Sequence, residues 1–173
     1  GGGGSNASNP FQTMAYLKNT EDVFRQIGSA RINFSALQTD QHDLQLSVNG
    51  GVDRFNQTND VYSPNLLQFE PGDGFPGTAV RGTGNSLYLN GSLNAVYSYS
   101  PRSLPLTART SAGLTQEIQN LETFRIQARG LIPGIELVNQ GNIRTDNQRT
   151  RIVDEAVYLQ EEISGFDDRL NIN

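Results

Sequence analysis

Residues 86–114 hold two runs in which apolar and polar side chains alternate, joined by a short Ser-Pro-Arg turn. Successive side chains on a strand point to opposite sides, so alternation gives a strand one apolar and one polar face. In the first run Leu87, Leu89, Gly91, Leu93, Ala95, Tyr97 and Tyr99 share a face. Tyr88, Asn90, Ser92, Asn94, Val96 and Ser98 take the other. In the second, Leu106, Ala108, Thr110, Ala112 and Leu114 oppose Thr107, Arg109, Ser111, Gly113 and Thr115. Soluble strands usually run about 5–6 residues. A strand that crosses a bilayer needs about 9–11, and these runs are of that kind.

The same pattern recurs on either side. From residue 24 to 36, Phe24, Gly28, Ala30, Ile32, Phe34 and Ala36 share one face with a single polar member, Gln26. Arg25, Ser29, Arg31, Asn33 and Ser35 lie on the other, with Ile27 as exception. After a polar turn at 38–42, Leu44, Leu46, Val48, Gly50 and Val52 alternate with Asp43, Gln45, Ser47, Asn49, Gly51 and Asp53. Residues 56–85 read as a long Asn-, Gly-, Pro- and Asp-rich connection, and loops beyond about 12–15 residues are usually functional or disordered. Residues 115–148 read as a second long connection. Ile118, Leu121, Phe124 and Ile126 offer an extension of the preceding strand, and Gly130-Leu131-Ile132-Pro133-Gly134 breaks it. Residues 149–163 form a less regular strand whose faces the sequence leaves open. A turn at 164–168 follows, and a new alternation starts at Arg169.

Short turns at one end of the strands and long loops at the other predict an all-β, antiparallel up-and-down meander. With long amphipathic strands it describes part of a transmembrane β-barrel wall, an incomplete barrel of about five to six strands over residues 9–173. Residues 1–8 are set apart; Gly1 to Ser5 reads equally as an expression linker or as a truncated Gly-rich surface loop. Both ends read as cuts in a larger protein.

Composition narrows the alternatives. The net charge of −5 argues against non-specific nucleic-acid binding. With no cysteine and one histidine, thiolate sites, disulfide frameworks and His-based metal clusters are excluded. Catalysis is not expected: a Ser-His-Asp arrangement would have to use His42, which reads better as a solvated turn residue beside Asp40 and Asp43. Asn59-Asp60 and Glu70-Pro71-Gly72-Asp73-Gly74 offer oxygen ligands without the spacing of a calcium loop, so solvated turns are the better reading. Asn56-Gln57-Thr58 matches the glycosylation sequon, which has no expected consequence in a bacterial protein. No cofactor is expected.

Specific wording adds to the periodicity. The string Asn9-Pro10-Phe11-Gln12-Thr13-Met14-Ala15-Tyr16-Leu17-Lys18-Asn19, ahead of Arg25-Gln26-Ile27-Gly28-Ser29, resembles a loop and barrel strand of SusC-like TonB-dependent outer-membrane receptors. Gly50-Gly51-Val52-Asp53, Gln68-Phe69-Glu70-Pro71 and Gly77-Thr78 resemble the same barrel region. So does Tyr158-Leu159-Gln160-Glu161-Glu162 ahead of Asp167-Asp168-Arg169-Leu170. The resemblance covers nearly the whole chain past the glycines but only a minor part of a receptor. No plug domain, TonB-binding segment or terminal aromatic strand can be placed. It implies a segment of a nutrient transporter in the bacterial cell outer membrane, importing glycan fragments or other nutrients. The implied partners are the lipid bilayer, the remaining barrel and plug, TonB and a surface lipoprotein. The other reading is a soluble β-sandwich, a carbohydrate-binding or adhesive module.

Two expectations about sites follow. Tyr97 and Tyr99, beside Pro101 at the end of an apolar face, suit an aromatic girdle at a membrane interface. Any ligand should meet the loops and the 9–19 segment, where Tyr62, Phe69 and Phe75 can stack on sugar rings and Asp73 can bind hydroxyls. The competing reading makes these aromatics rim anchors. On the strands, Leu44, Leu46, Val48, Leu87, Leu89, Leu93, Leu106 and Leu114 should form one continuous apolar surface.

Overall fold

The computed structural model describes residues 9–70, 72, 74–166 and 170–173. The glycine run, Pro71, Asp73 and residues 167–169 lie outside the described residues. The chain forms a single six-stranded sheet in the order β1-β2-β3-β4-β5-β6. The strands are β1 Lys18–Gln38, β2 His42–Ser63, β3 Thr78–Tyr99, β4 Leu106–Arg129, β5 Asn142–Gly165 and β6 Leu170–Ile172. Sequence neighbours are sheet neighbours throughout, so the up-and-down meander holds, and β1 does not pair with β6 to close it. The short sixth strand is antiparallel to β5, with Ile163 beside Ile172 and Gly165 beside Leu170.

The strands are longer than the alternation suggested. β2 and β3 each run 22 residues and β4 and β5 each run 24. The connection expected at 56–85 shrinks to 64–77, and the one inside 115–148 shrinks to 130–141. The added strand residues, Asn56 to Asp60 among them, are polar on both faces. Backbone pairing with the neighbouring strand carries the ladder on where side-chain contrast has ended. The 9–19 segment also differs from the loop expected. Pro10–Tyr16 is a short helix, α1, capped by the Asn9 side chain, which accepts from the Phe11 backbone N–H at 3.1 Å, with Pro10 in the first turn.

Contacts divide the chain into two compact units, and every long strand passes from one to the other. The turn-end unit holds residues 26–54, 87–120 and 151–173; the loop-end unit holds residues up to 25, 55–86 and 121–150. The change at residues 54–55 and 86–87 falls where the apolar alternation stops.

In the turn-end unit, side-chain hydrogen bonds on the polar face fix which residues stand together. Arg31 donates to Asn49, Asn49 Nδ2 donates to Ser92 Oγ at 2.9 Å, and Tyr158 donates to Asn94 at 3.0 Å. A Cβ on Gly113 would run into Tyr158 and Asn94, so β4 and β5 join the same face. One step along each strand, this register sets Ile32, Val48, Leu93, Leu114 and Val157 in a row on the opposite face. All five are exposed, at 66, 49, 43, 49 and 85 %. The expected apolar surface is thus present, and nothing among the described residues covers these five.

The faces of β5, open in the sequence, are now assigned. Odd-numbered residues share the apolar side, because Glu161 accepts from Thr110 Oγ1 and Glu155 from Gln116 Nε2, both at 2.6 Å. These two carboxylates interrupt that side, and each is met by a donor from β4.

In the loop-end unit a small core forms on the continuation of the apolar side. Ala79, Ala128 and Leu131 are buried, with Tyr62 and Val138 packed against them. The 130–141 loop is held down through Gly130, whose N–H donates to the carbonyls of Gly77 and Phe75 at 3.1 and 3.2 Å. Gly141 closes the loop at φ +70°, and a Cβ there would collide with the carbonyl oxygens of Arg129 and Gly130. Gly134 has φ +82° with open space around it. Gly141→Ala should therefore loosen the 130–141 loop strongly. Gly134→Ala should cost only the left-handed penalty, roughly 1–2 kcal/mol. Hydrogen exchange of the 130–141 amides measures both; equal protection in the two variants would count against the close approach at Gly141.

Candidate functional site

The loops and α1 gather in the loop-end unit. Gln12 Nε2 of α1 reaches the Leu66 carbonyl at 3.4 Å, and Lys18 Nζ meets Glu136 Oε1 at 2.5 Å. Within the 64–77 loop, Glu70 is a hub. Its carboxylate accepts from Ser63 Oγ, from the Gly77 backbone N–H at 3.0 Å and from Thr78 Oγ1 at 3.1 Å. Glu70 thereby ties both strand ends, β2 and β3, to the middle of the loop.

The four residues nominated from sequence have different fates. Tyr62 is partly buried against the Ala79–Ala128–Leu131 core and also lines a hollow of about 230 Å³ with Lys18, Asp60, Arg81 and Glu136. Phe75 also takes part in anchoring, through its carbonyl, yet is 45 % exposed. Phe69 is exposed at the loop surface. Asp73 lies outside the described residues. The hollow that Tyr62 lines includes neither Phe69 nor Phe75.

A different set of residues does converge. On the polar side of β2–β5, still within the loop-end unit, a hollow of about 440 Å³ is lined by Gln57, Asn59, Gly82, Gly84, Thr123, Arg125 and Asp146, among others. That volume is within the roughly 300–1,000 Å³ of small-molecule sites. Gly82 and Gly84 form its floor: a Cβ on either would meet nothing within 4 Å. On the opposite side of the sheet Arg149 Nη2 meets Glu122 Oε1 at 2.9 Å, which fixes the β4–β5 register; three residues along each strand, on the hollow's side, that register sets Arg125 opposite Asp146. An adjoining hollow of about 140 Å³ adds Gln127 and Arg144. Neither Arg125 nor Arg144 makes a hydrogen bond or ion pair among the described residues. Gln57 is engaged on its far side by Glu21. The sequence reading missed this set because it searched loops for aromatics. The available signal was Gly82 and Gly84 two apart in a strand, where glycine marks close approach of another group.

A second charged group stands on the opposite side of the sheet, just past the apolar row. Arg81 forks onto Asp60 at 2.6 and 2.9 Å, and that hydrogen-bonded carboxylate raises the arginine above its ordinary pKa. Asp60, one of the weighed calcium ligands, is thus committed to a guanidinium.

At the turn end, His42 is not the solvated turn residue expected. It opens β2 on the apolar side, stacks on Tyr97 and Tyr99 at centroid separations of 6.0 and 4.9 Å, and lies 2.7 Å from the Tyr97 hydroxyl through Nδ1. Its backbone is held by its turn neighbour Thr39, whose Oγ1 accepts from the His42 N–H at 3.0 Å and whose N–H donates to the His42 carbonyl at 2.8 Å, while β3 meets its ring. Comparison with known proteins finds no matching family model and no curated protein that matches the chain.

Proposed function

We propose that this chain is a segment of the wall of an outer-membrane nutrient transporter of the SusC-like, TonB-dependent kind, with no enzymatic role. The observation that carries the proposal is the uncovered apolar row Ile32–Val48–Leu93–Leu114–Val157 within a bounded band. On β2 the band runs from His42 at the aromatic cluster to Val52, after which Arg54, Asn56, Thr58 and Asp60 follow on the same side. Ten steps of about 3.3 Å, tilted near 45°, rise about 23 Å, close to the roughly 25 Å apolar belt of outer-membrane barrels. An aromatic cluster at one edge and charges at the other suit the two interfaces of such a belt. A soluble sandwich would need a second sheet over these side chains, and none of the five is covered. The loop-end unit carries the loops, α1 and the polar hollow. The bilayer, the rest of the barrel with its plug, TonB and a surface lipoprotein are the partners this reading supplies.

The receptor should sediment with urea-washed outer membranes, need detergent for extraction and show heat-modifiable gel mobility. A monomeric protein stable in plain buffer would overturn the membrane reading in favour of the sandwich.

A further inference from the structure

The polar hollow carries more than a generic site for sugars. Gln57, Asn59 and Thr123 present neutral donors and acceptors, and Asp146 can accept from two neighbouring hydroxyls. The glycine floor at 82 and 84 lets a flat ring lie against backbone. Those features would serve any polyhydroxylated ligand. The two guanidinium groups change the chemistry. Arg125 stands opposite Asp146 in the same hollow and does not pair with it, and Arg144 borders the adjoining space without a partner among the described residues. Arg125 and Asp146 balance in the larger hollow, Arg144 beside the adjoining space adds a second guanidinium, and the Glu21 carboxylate is already taken up by Gln57. Planar guanidinium forks match carboxylates in bidentate fashion.

We propose that this hollow binds an acidic sugar, a hexuronate unit of an oligosaccharide, with its carboxylate on Arg125 and Arg144 and its ring over Gly82 and Gly84. Asp146, Asn59 and Gln57 take the ring hydroxyls. The inference rests on the transporter reading, since the polar face must line an aqueous passage for the ligand to arrive.

The test uses the full receptor in detergent, with galacturonate and glucuronate trisaccharides and their methyl esters as probes, by calorimetry. The esters keep the rings and hydroxyls and remove the charge. At least one acid should bind about tenfold or more tighter than its ester. Arg125→Gln and Arg144→Gln should each erase most of that difference by weakening the acid far more than the ester, and flatten the salt dependence. Gly84→Leu, whose side chain enters open space, should abolish binding of acid and ester alike. Equal binding of acids and esters overturns the acidic class. Unchanged binding in Gly84→Leu, in a receptor with normal heat-modifiable mobility, overturns the hollow while leaving the transporter reading intact. A receptor found outside the membrane would instead remove the ground beneath both.

Discussion

Leu93→Arg should strongly reduce membrane assembly if the chain is the barrel wall proposed above. Leu93 stands at the middle of the apolar row, between Val48 on β2 and Leu114 on β4, and is 43 % exposed. If that side meets hydrocarbon, an arginine there costs about 2–4 kcal/mol, or about 30- to 700-fold in the folding equilibrium. Asn85→Arg puts the same charged side chain on β3 outside the band, in place of a residue that is already polar. It should cost little, because charge near the interface costs about 0–1 kcal/mol. The measurement is urea-dependent folding into vesicles, read by heat-modifiable mobility. Equal losses for both variants would mean that depth does not matter, and the row would then face protein or water. Glu155 and Glu161 bear on the same question. They share that side, and carboxylates at depth cost less than arginine. Donors from Gln116 and Thr110 also meet them directly.

Where the sequence carried contrast, the fold was legible. Leu44 to Val52 and Leu87 to Tyr99 alternate sharply, and both their faces and the meander order match the structure. Where the contrast vanished, so did legibility. Asn56, Thr58 and Asp60 are as polar as Gln57 and Asn59 on the other side, so a period of two has no signature there. Those residues are strand because β3 runs beside them. Helix α1 was hidden by its brevity, although Asn9 before Pro10 is a recognisable cap and first turn. The candidate hollow was not legible. The loops do gather at one end, but Tyr62 faces the Ala79–Ala128 core because it lies on the apolar side of β2. The hollow needs Asn59, Gly82, Arg125 and Asp146 from four strands, and only the register between strands brings them together. No local window of sequence contains that information.

The second large effect is expected at Glu70, whose carboxylate ties the 64–77 loop to the ends of β2 and β3. Removing it in Glu70→Ala leaves Ser63 Oγ, the Gly77 N–H and Thr78 Oγ1 without their acceptor, and Ser63 is only 5 % exposed. Hydrogen bonds to charged groups contribute about 1.5–3 kcal/mol each, but a surface loop can recover part of that from water. A net local cost of about 2–3 kcal/mol is therefore the expectation. Protease cutting within 64–77 should rise about 30- to 150-fold when opening is fast relative to cleavage. Glu70→Gln keeps an acceptor for Gly77 and Thr78 and offers its amide N–H₂ to the Ser63 oxygen, so it should recover most of the protection. Heat-modifiable mobility should be unchanged in both, because the belt lies in the other unit of the chain. Phe69 and Phe75 ride on this loop, so nutrient uptake separates their two readings. If they contact ligand, uptake should fall with Glu70→Ala and return with Glu70→Gln in step with protease resistance. If they only anchor the loop, uptake should stay level while cutting rises. Unchanged cutting in Glu70→Ala would show that the hub does not hold the loop, and the closure would then have to come from Gly130 and the core beneath it.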